Sequence, residues 1–135
     1  MELNRYYRSQ HQRAARSFSR SVVPEVSRVP AGVRFGAYEL DVSGMELRKN
    51  GVRIRLQEQP FLVLCALVAK PGDVVTREEL KDEVWASDTL VDFDQSLNKA
   101  INRLREALND DASQPRYIET VPRRGYRFVA HVEDI

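Results

Sequence analysis

Hydrophobic and polar positions change their rhythm several times along this chain. From Val33 the pattern is one of short alternating stretches, Val33-Arg34-Phe35-Gly36-Ala37-Tyr38, Glu39-Leu40-Asp41, Met45-Glu46-Leu47-Arg48 and Val52-Arg53-Ile54-Arg55-Leu56. Successive side chains of an extended backbone point to opposite faces, so this alternation predicts the strands of a small antiparallel meander. Asn50-Gly51 separates the last two stretches, and this pair best tolerates the positive φ of a tight hairpin turn. From Gln57 the period becomes helical. Phe61, Leu64, Cys65 and Val68 fall on one face at i, i+3, i+4 and i+7, and Pro71-Gly72 stops the helix. In Thr76-Arg77-Glu78-Glu79 the threonine stands three residues ahead of Glu79, the spacing of a capping box in which each side chain satisfies the other residue's unpaired backbone N–H. A second helix to about Trp85 then buries Leu80, Val84 and Trp85.

A third helix starts near Phe93 or Asp94 and continues to about Asn109. Leu97, Ile101, Leu104 and Leu108 form its apolar stripe. Steps of 100° per residue put Gln95, Lys99, Asn102 and Glu106 on the opposite side, with Asn98, Arg103 and Arg105 flanking. After a break around Pro115, Tyr117-Ile118-Glu119-Thr120-Val121 and Tyr126-Arg127-Phe128-Val129-Ala130 predict a hairpin with Pro122-Arg123-Arg124-Gly125 at its tip. Residues 1–32 hold five serines, two prolines and scattered arginines without a sustained apolar period. They cannot offset the entropy of ordering and read as a basic tail, disordered or loosely helical, ahead of a folded unit over 33–135.

Composition sharpens this division. The 135 residues suffice for about one domain. Lys plus Arg number 21 against 20 Asp plus Glu, a net charge of +1, which by itself gives no reason to suspect a polyanionic partner. The near-zero value hides a split, because residues 1–34 carry seven arginines and two glutamates and are +5, leaving the rest at −4. Within that remainder, carboxylates gather on the second helix and in the loop over 86–94, and cations gather on the third helix and the hairpin tip. A single cysteine, Cys65, excludes an intramolecular disulfide framework and fits a reducing compartment, with the cytoplasm as default. Its place in an apolar stripe makes it a small core residue. The longest apolar run, over 61–69, is nine residues, short of the roughly 20 that span a bilayer.

The materials for catalysis are sparse: two histidines, one cysteine and no glycine-rich phosphate loop. Glu78, Glu79, Asp82 and Glu83 fit a solvated helix face and cap, and Asp88, Asp92 and Asp94 come without the glycine and closing glutamate of a calcium loop. Neither an enzyme nor a metal site nor a cofactor is expected. Strands, three helices and a cation-tipped hairpin are instead the parts of a winged helix-turn-helix, in which the last helix enters the major groove and the hairpin reaches neighbouring backbone or minor groove. The third helix offers suitable chemistry, since Asn and Gln pair with adenine and Lys and Arg with guanine or phosphate. Arg123 and Arg124 contribute little to folding on an exposed turn yet sit well against phosphates.

These segments resemble a known family. Phe35-Gly36 with Glu39-Leu40-Asp41, Val74-Val75-Thr76-Arg77-Glu78-Glu79-Leu80 with Val84-Trp85, the stretch from Val91-Asp92 to Leu104-Arg105, and Tyr117-Ile118-Glu119-Thr120-Val121-Pro122-Arg123-Arg124-Gly125-Tyr126-Arg127-Phe128 are similar to the OmpR/PhoB-type winged-helix effector domain, most of all its one-component ToxR/CadC-like branch. The resemblance implies an α+β fold with a four-strand N-terminal antiparallel sheet, a three-helix core and a C-terminal hairpin wing. It places Asn98, Lys99, Asn102, Arg103 and Arg105 at groove-facing or phosphate-contacting positions, joined by Gln95 from the helix pattern, with Thr120 at a backbone-contacting position and Arg123 and Arg124 at the wing tip. The loop with Ser87, Asp88, Asp92 and Asp94 matches a segment through which relatives touch RNA polymerase, and its acidity suits a protein surface better than DNA.

Some features depart from the family. Pro60 stands where many relatives have glutamate, tolerable in a first helical turn. Asn98 and Asn102 replace charged residues, so base preference does not transfer. No receiver domain fits ahead of the winged helix and no membrane span or sensor follows it, so regulation is expected from elsewhere or from further parts of a longer product. The expectation is a bacterial, sequence-specific double-stranded DNA-binding transcriptional regulator, pairing on tandem half-sites and taking no small-molecule substrate. Its rival is a winged helix that serves as a protein-interaction module without DNA binding.

Overall fold

The computed structural model describes residues 32–85 and 92–135. Residues 1–31 of the expected tail and the loop residues Ser87 and Asp88 lie outside the described residues, while Gly32, the tail's expected last residue, opens the first strand. Four strands open the fold, β1 (Gly32–Phe35), β2 (Tyr38–Asp41), β3 (Glu46–Lys49) and β4 (Val52–Ile54), each antiparallel to the next. The Asn50-Gly51 turn behaves as its chemistry demands, with φ of 52° and 83° at its two residues, the double positive of a type I′ hairpin that matches strand twist. Alternation then sorts the faces. Val33, Phe35, Leu40 and Leu47 are buried, while Arg34 and Glu39 pair across the outer face at 3.2 Å.

Helix α1 (Glu58–Val68) buries residues on nearly every side. Pro60 is its third residue, where the backbone N–H would have no intrahelical partner, so the missing donor costs nothing. Cys65 is 2% exposed, and burial pushes its thiol pKa well up. Strand β5 (Val74–Thr76) runs directly into α2 (Arg77–Val84). The capping box forms as expected, with the Glu79 N–H donating to Thr76 Oγ1 at 3.0 Å and the Thr76 N–H donating to Glu79 Oε1 at 2.9 Å. Trp85 closes α2 and is buried, whereas Val84 is only half-buried.

Helix α3 (Phe93–Leu108) is the longest of the three described helices at 16 residues. Its stripe of Leu97, Ala100, Ile101, Leu104 and Leu108 is buried against α1 and the rest of the core. Asn109 ends it in the left-handed conformation, φ 56° and ψ 45°, a role in which Asn is second only to Gly. Asp110 then receives the N–H groups of Arg116, Tyr117 and Ile118 at 2.7, 3.3 and 2.9 Å. One carboxylate thus sets where the chain turns from α3 into β6 (Ile118–Val121), which pairs with β7 (Gly125–Phe128).

Two strands exceed the sequence expectation. β5 pairs with β7, so the wing is a three-stranded sheet in the order β5-β7-β6. β8 (Glu133–Asp134) pairs with β1, making the N-terminal sheet five-stranded rather than four, in the order β4-β3-β2-β1-β8. A Cβ on Gly125 would stand 2.0 Å from the Val75 carbonyl oxygen, so only glycine lets β7 approach β5 this closely. The two sheets meet through rings. Phe35 lies edge-on to Phe128 at 5.0 Å and to Tyr117 at 5.6 Å, and Tyr38 edge-on to Tyr117 at 5.5 Å. The buried Tyr38 hydroxyl donates to the Leu108 carbonyl at 2.9 Å, tying β2 to the end of α3.

Candidate nucleic-acid interface

The side of α3 away from its buried stripe is wet. Gln95, Asn98, Lys99, Asn102, Arg103 and Glu106 are all exposed, as 100° steps require once Leu97, Ile101 and Leu104 point inward. Arg105 is half-buried and turned toward the wing. Its Nη2 donates to the Ile118 carbonyl at 2.8 Å and to Thr120 Oγ1 at 3.0 Å. Arg105 and Thr120, expected separately at the interface, therefore sit together where the last turns of α3 meet β6.

The wing tip is a tight turn in which the Arg124 N–H donates to the Val121 carbonyl at 3.0 Å. Pro122 occupies the first central position and Arg123 the second, at φ 67°. A positive φ there is the mark of a type II turn, for which Gly or Asn is the ordinary choice. Arg123 and Arg124 are both exposed.

Between the start of α2, the first turn of α3 and the wing tip lies an open cleft of about 740 Å³, with Arg77, Lys81, Phe93, Asp94, Arg123 and Arg124 on its walls. Asp94 is thus brought beside the basic elements, and Asp92 borders the same cleft. Asp92 precedes the first residue of α3 without capping it through its side chain. Phe93 packs edge-on against Trp85 at 5.2 Å and lies under the Lys81 ammonium at 5.9 Å. In the sequence Arg77 shows only as the residue after the Thr76 cap. Its contact with Asp94 spans 17 residues, and no local pattern signals it. Among the described residues there is no group of three or more His, Cys, Asp or Glu able to hold a metal ion. No helix among them is long and apolar enough to cross a membrane.

A three-helix core whose last helix has one wet face, with a three-stranded sheet ending in a cationic turn, defines a winged helix-turn-helix domain. Residues 51–128, more than half of the chain, match the family described as "Transcriptional regulatory protein, C terminal". The chain belongs to that family. It is 39% identical over 82 residues to the cholera toxin transcriptional activator of Vibrio cholerae serotype O1, a match covering 61% of this chain and 28% of that protein. The chain therefore spans less than a third of that relative. Among solved structures it is similar to the Klebsiella pneumoniae RstA DNA-binding domain in complex with RstA box, with a TM-score of 0.65, 30% identity and coverage of 74% of this chain and 98% of that one. The DNA-binding domain of Escherichia coli CadC gives a TM-score of 0.65 at 31% identity, covering 78% and 97%.

Proposed function

We propose that this chain is a sequence-specific double-stranded DNA-binding transcriptional regulator, with residues 33–135 as its DNA-binding domain and 1–32 as a basic segment ahead of it. The observation that carries the reading is the pairing of two surfaces. The exposed face of α3 presents Gln95, Asn98, Lys99, Asn102 and Arg103, and beside it the wing holds an arginine at its apex in a backbone conformation that arginine disfavours. Helix α3 enters the major groove, where its amides and cations meet base edges, and the wing lies on adjacent backbone or minor groove. The Thr120 hydroxyl accepts from Arg105 Nη2 at 3.0 Å, which leaves its own proton to donate to a phosphate oxygen. Arg123 and Arg124 add two more cations at the tip. Relatives that carry DNA-binding and transcriptional roles in their names support this reading over an interaction module that leaves DNA alone.

In this reading the domain works by binding, not by catalysis, and acts in the bacterial cytoplasm. The acidic loop containing Ser87, Asp88 and Asp92 suits a basic protein surface such as one on RNA polymerase, and pairing on tandem half-sites would double the contact length. The test is a fluorescence anisotropy titration at several salt concentrations. One duplex is enriched from a random pool by the protein, and the other is its scrambled counterpart. Tighter binding to the enriched duplex, with a salt slope on both, is expected; equal affinity for the two would end the sequence-specific reading.

A further inference from the structure

Arg77 touches both halves of the interface from neither of them. Its Nη2 donates to Asp94 Oδ1 in the first turn of α3 at 2.9 Å, its Nη1 reaches the Tyr126 hydroxyl on β7 at 3.4 Å, and its own backbone N–H donates to the Arg124 carbonyl at the wing tip at 3.1 Å. At the start of α3, where Asp92 supplies no side-chain cap, the Arg77 guanidinium instead holds the Asp94 carboxylate of the first turn. The opposite end of α3 is tied to the wing separately, through Arg105 to Ile118 and Thr120. The buried stripe and the Phe93–Trp85 contact seat α3 on the core, and these two polar links set its two ends against the wing.

We propose that Arg77 is a positioning residue that fixes the angle between the reading helix and the wing through Asp94, and that this angle underlies discrimination between DNA sequences; the proposal rests on the DNA-binding reading above. Arg77 acts without touching DNA. Base readout demands that helix and wing engage the duplex in one register, whereas attraction to phosphates tolerates many, so loosening the angle weakens specific binding more than non-specific binding. The ion pair is largely exposed on the Asp94 side, at 75% of its side chain, and such pairs add little to folding stability, which leaves geometry as its main contribution.

Asp94→Ala gives the decisive test, because it removes the acceptor as well as the charge and two ideas predict opposite signs. If charge alone mattered, removing a negative group beside the wing would tighten binding to every duplex. If Arg77 positions the helix through Asp94, the variant loses about ten-fold in affinity for the duplex enriched by the wild-type protein, while the scrambled duplex is bound as well as before or better. Arg77→Gln should cost the same on the enriched duplex with an unchanged salt slope, and the double variant should be no weaker than the weaker single. Circular dichroism establishes that each variant is folded at the temperature used. If Arg77→Gln does not fold, Asp94→Ala and Tyr126→Phe carry the comparison, with the same selective loss on the enriched duplex expected of each. Tighter binding of Asp94→Ala to both duplexes, an equal loss on both, or a shallower salt slope for Arg77→Gln overturns the proposal, the last by making Arg77 a phosphate contact. Failure of the wild-type protein to enrich any duplex removes the underlying reading instead, and the proposal with it.

Discussion

Replacing Arg123 by glycine should make the domain more stable and a poorer DNA binder at once. Arg123 sits at φ 67°, a region that costs an L-residue with a Cβ roughly 1–2 kcal/mol. Glycine escapes that cost but enlarges the entropy of the unfolded chain by about 0.4–1 kcal/mol. Because Arg123 is exposed, no packing is lost, and the net gain is on the order of 0.5–1 kcal/mol, or about 3–6 °C in Tm for a domain of this size. On DNA the same change removes one phosphate contact, which lowers the slope of log K against log salt by about 0.9. The affinity deficit of the variant should therefore shrink about 3.5-fold between 50 and 200 mM salt. Arg123→Ala separates the two effects, since it keeps the strained backbone and loses the charge: its salt slope should match that of Arg123→Gly while its Tm does not rise. Thermal melts monitored by circular dichroism and anisotropy titrations at four salt concentrations measure both quantities. A lower Tm for Arg123→Gly would refute the strain argument, and an unchanged salt slope would refute the contact.

Other positions give sharper structural tests. Gly125→Ala forces a Cβ to within 2.0 Å of the Val75 carbonyl oxygen, so β5 and β7 must part; a loss of at least 2 kcal/mol, roughly the tail of ordinary mutational effects, is expected in urea unfolding. Asp110→Ala leaves three backbone N–H groups without their acceptor and should cost about 1–3 kcal/mol by the same assay. Glu79 is held below the usual glutamate pKa, first by the Thr76 backbone N–H and then by the Lys70 charge. Its stabilising contribution is present above the unfolded-state value of about 4.3 and disappears as pH falls through the lower folded value. The Tm difference between wild type and Glu79→Gln should thus be clear at pH 7 and close as the pH drops below 4, roughly the region where the carboxylate protonates. Asn102→Ala should relax preference at one base position of a selected site while changing affinity for scrambled DNA little, which sequencing of enriched pools reads directly.

Where a local rule governed the outcome, the residues could be read in advance. Asn50-Gly51 specifies its turn from the φ values it tolerates, Thr76 and Glu79 specify a helix start from three-residue spacing, and the Leu97, Ile101, Leu104, Leu108 stripe specifies both the helix and its wet face. Features made by distant partners were not legible. Val74-Val75-Thr76 reads as the approach to a helix, and becomes a strand because β7, some fifty residues later, lacks a side chain at Gly125 and can lie against it. Glu133-Asp134 has no apolar alternation to announce a strand and pairs with β1 all the same. Val129 and Ala130, which continue the alternating run, fall outside the ladder that ends at Ile118 and Phe128. Within the interface, single residue types on α3 and the wing were visible, but the Arg77 to Asp94 and Arg105 to Thr120 links belong to tertiary geometry.

The pairing of β8 with β1 also settles the circular order that this fold can accept. The Ile135 N–H donates to the Gly32 carbonyl at 3.1 Å, so the two ends of the described unit are hydrogen-bonded neighbours along one sheet edge. A short linker from Ile135 back to Gly32 would close the unit over residues 32–135 into a ring without displacing any of its strands. New ends cut at Asn50-Gly51, an exposed two-residue turn, would then leave every sheet partnership in place, since termini that lie close together make permutation tolerable. Such a rearranged chain would still carry α3 and the wing on an unbroken frame.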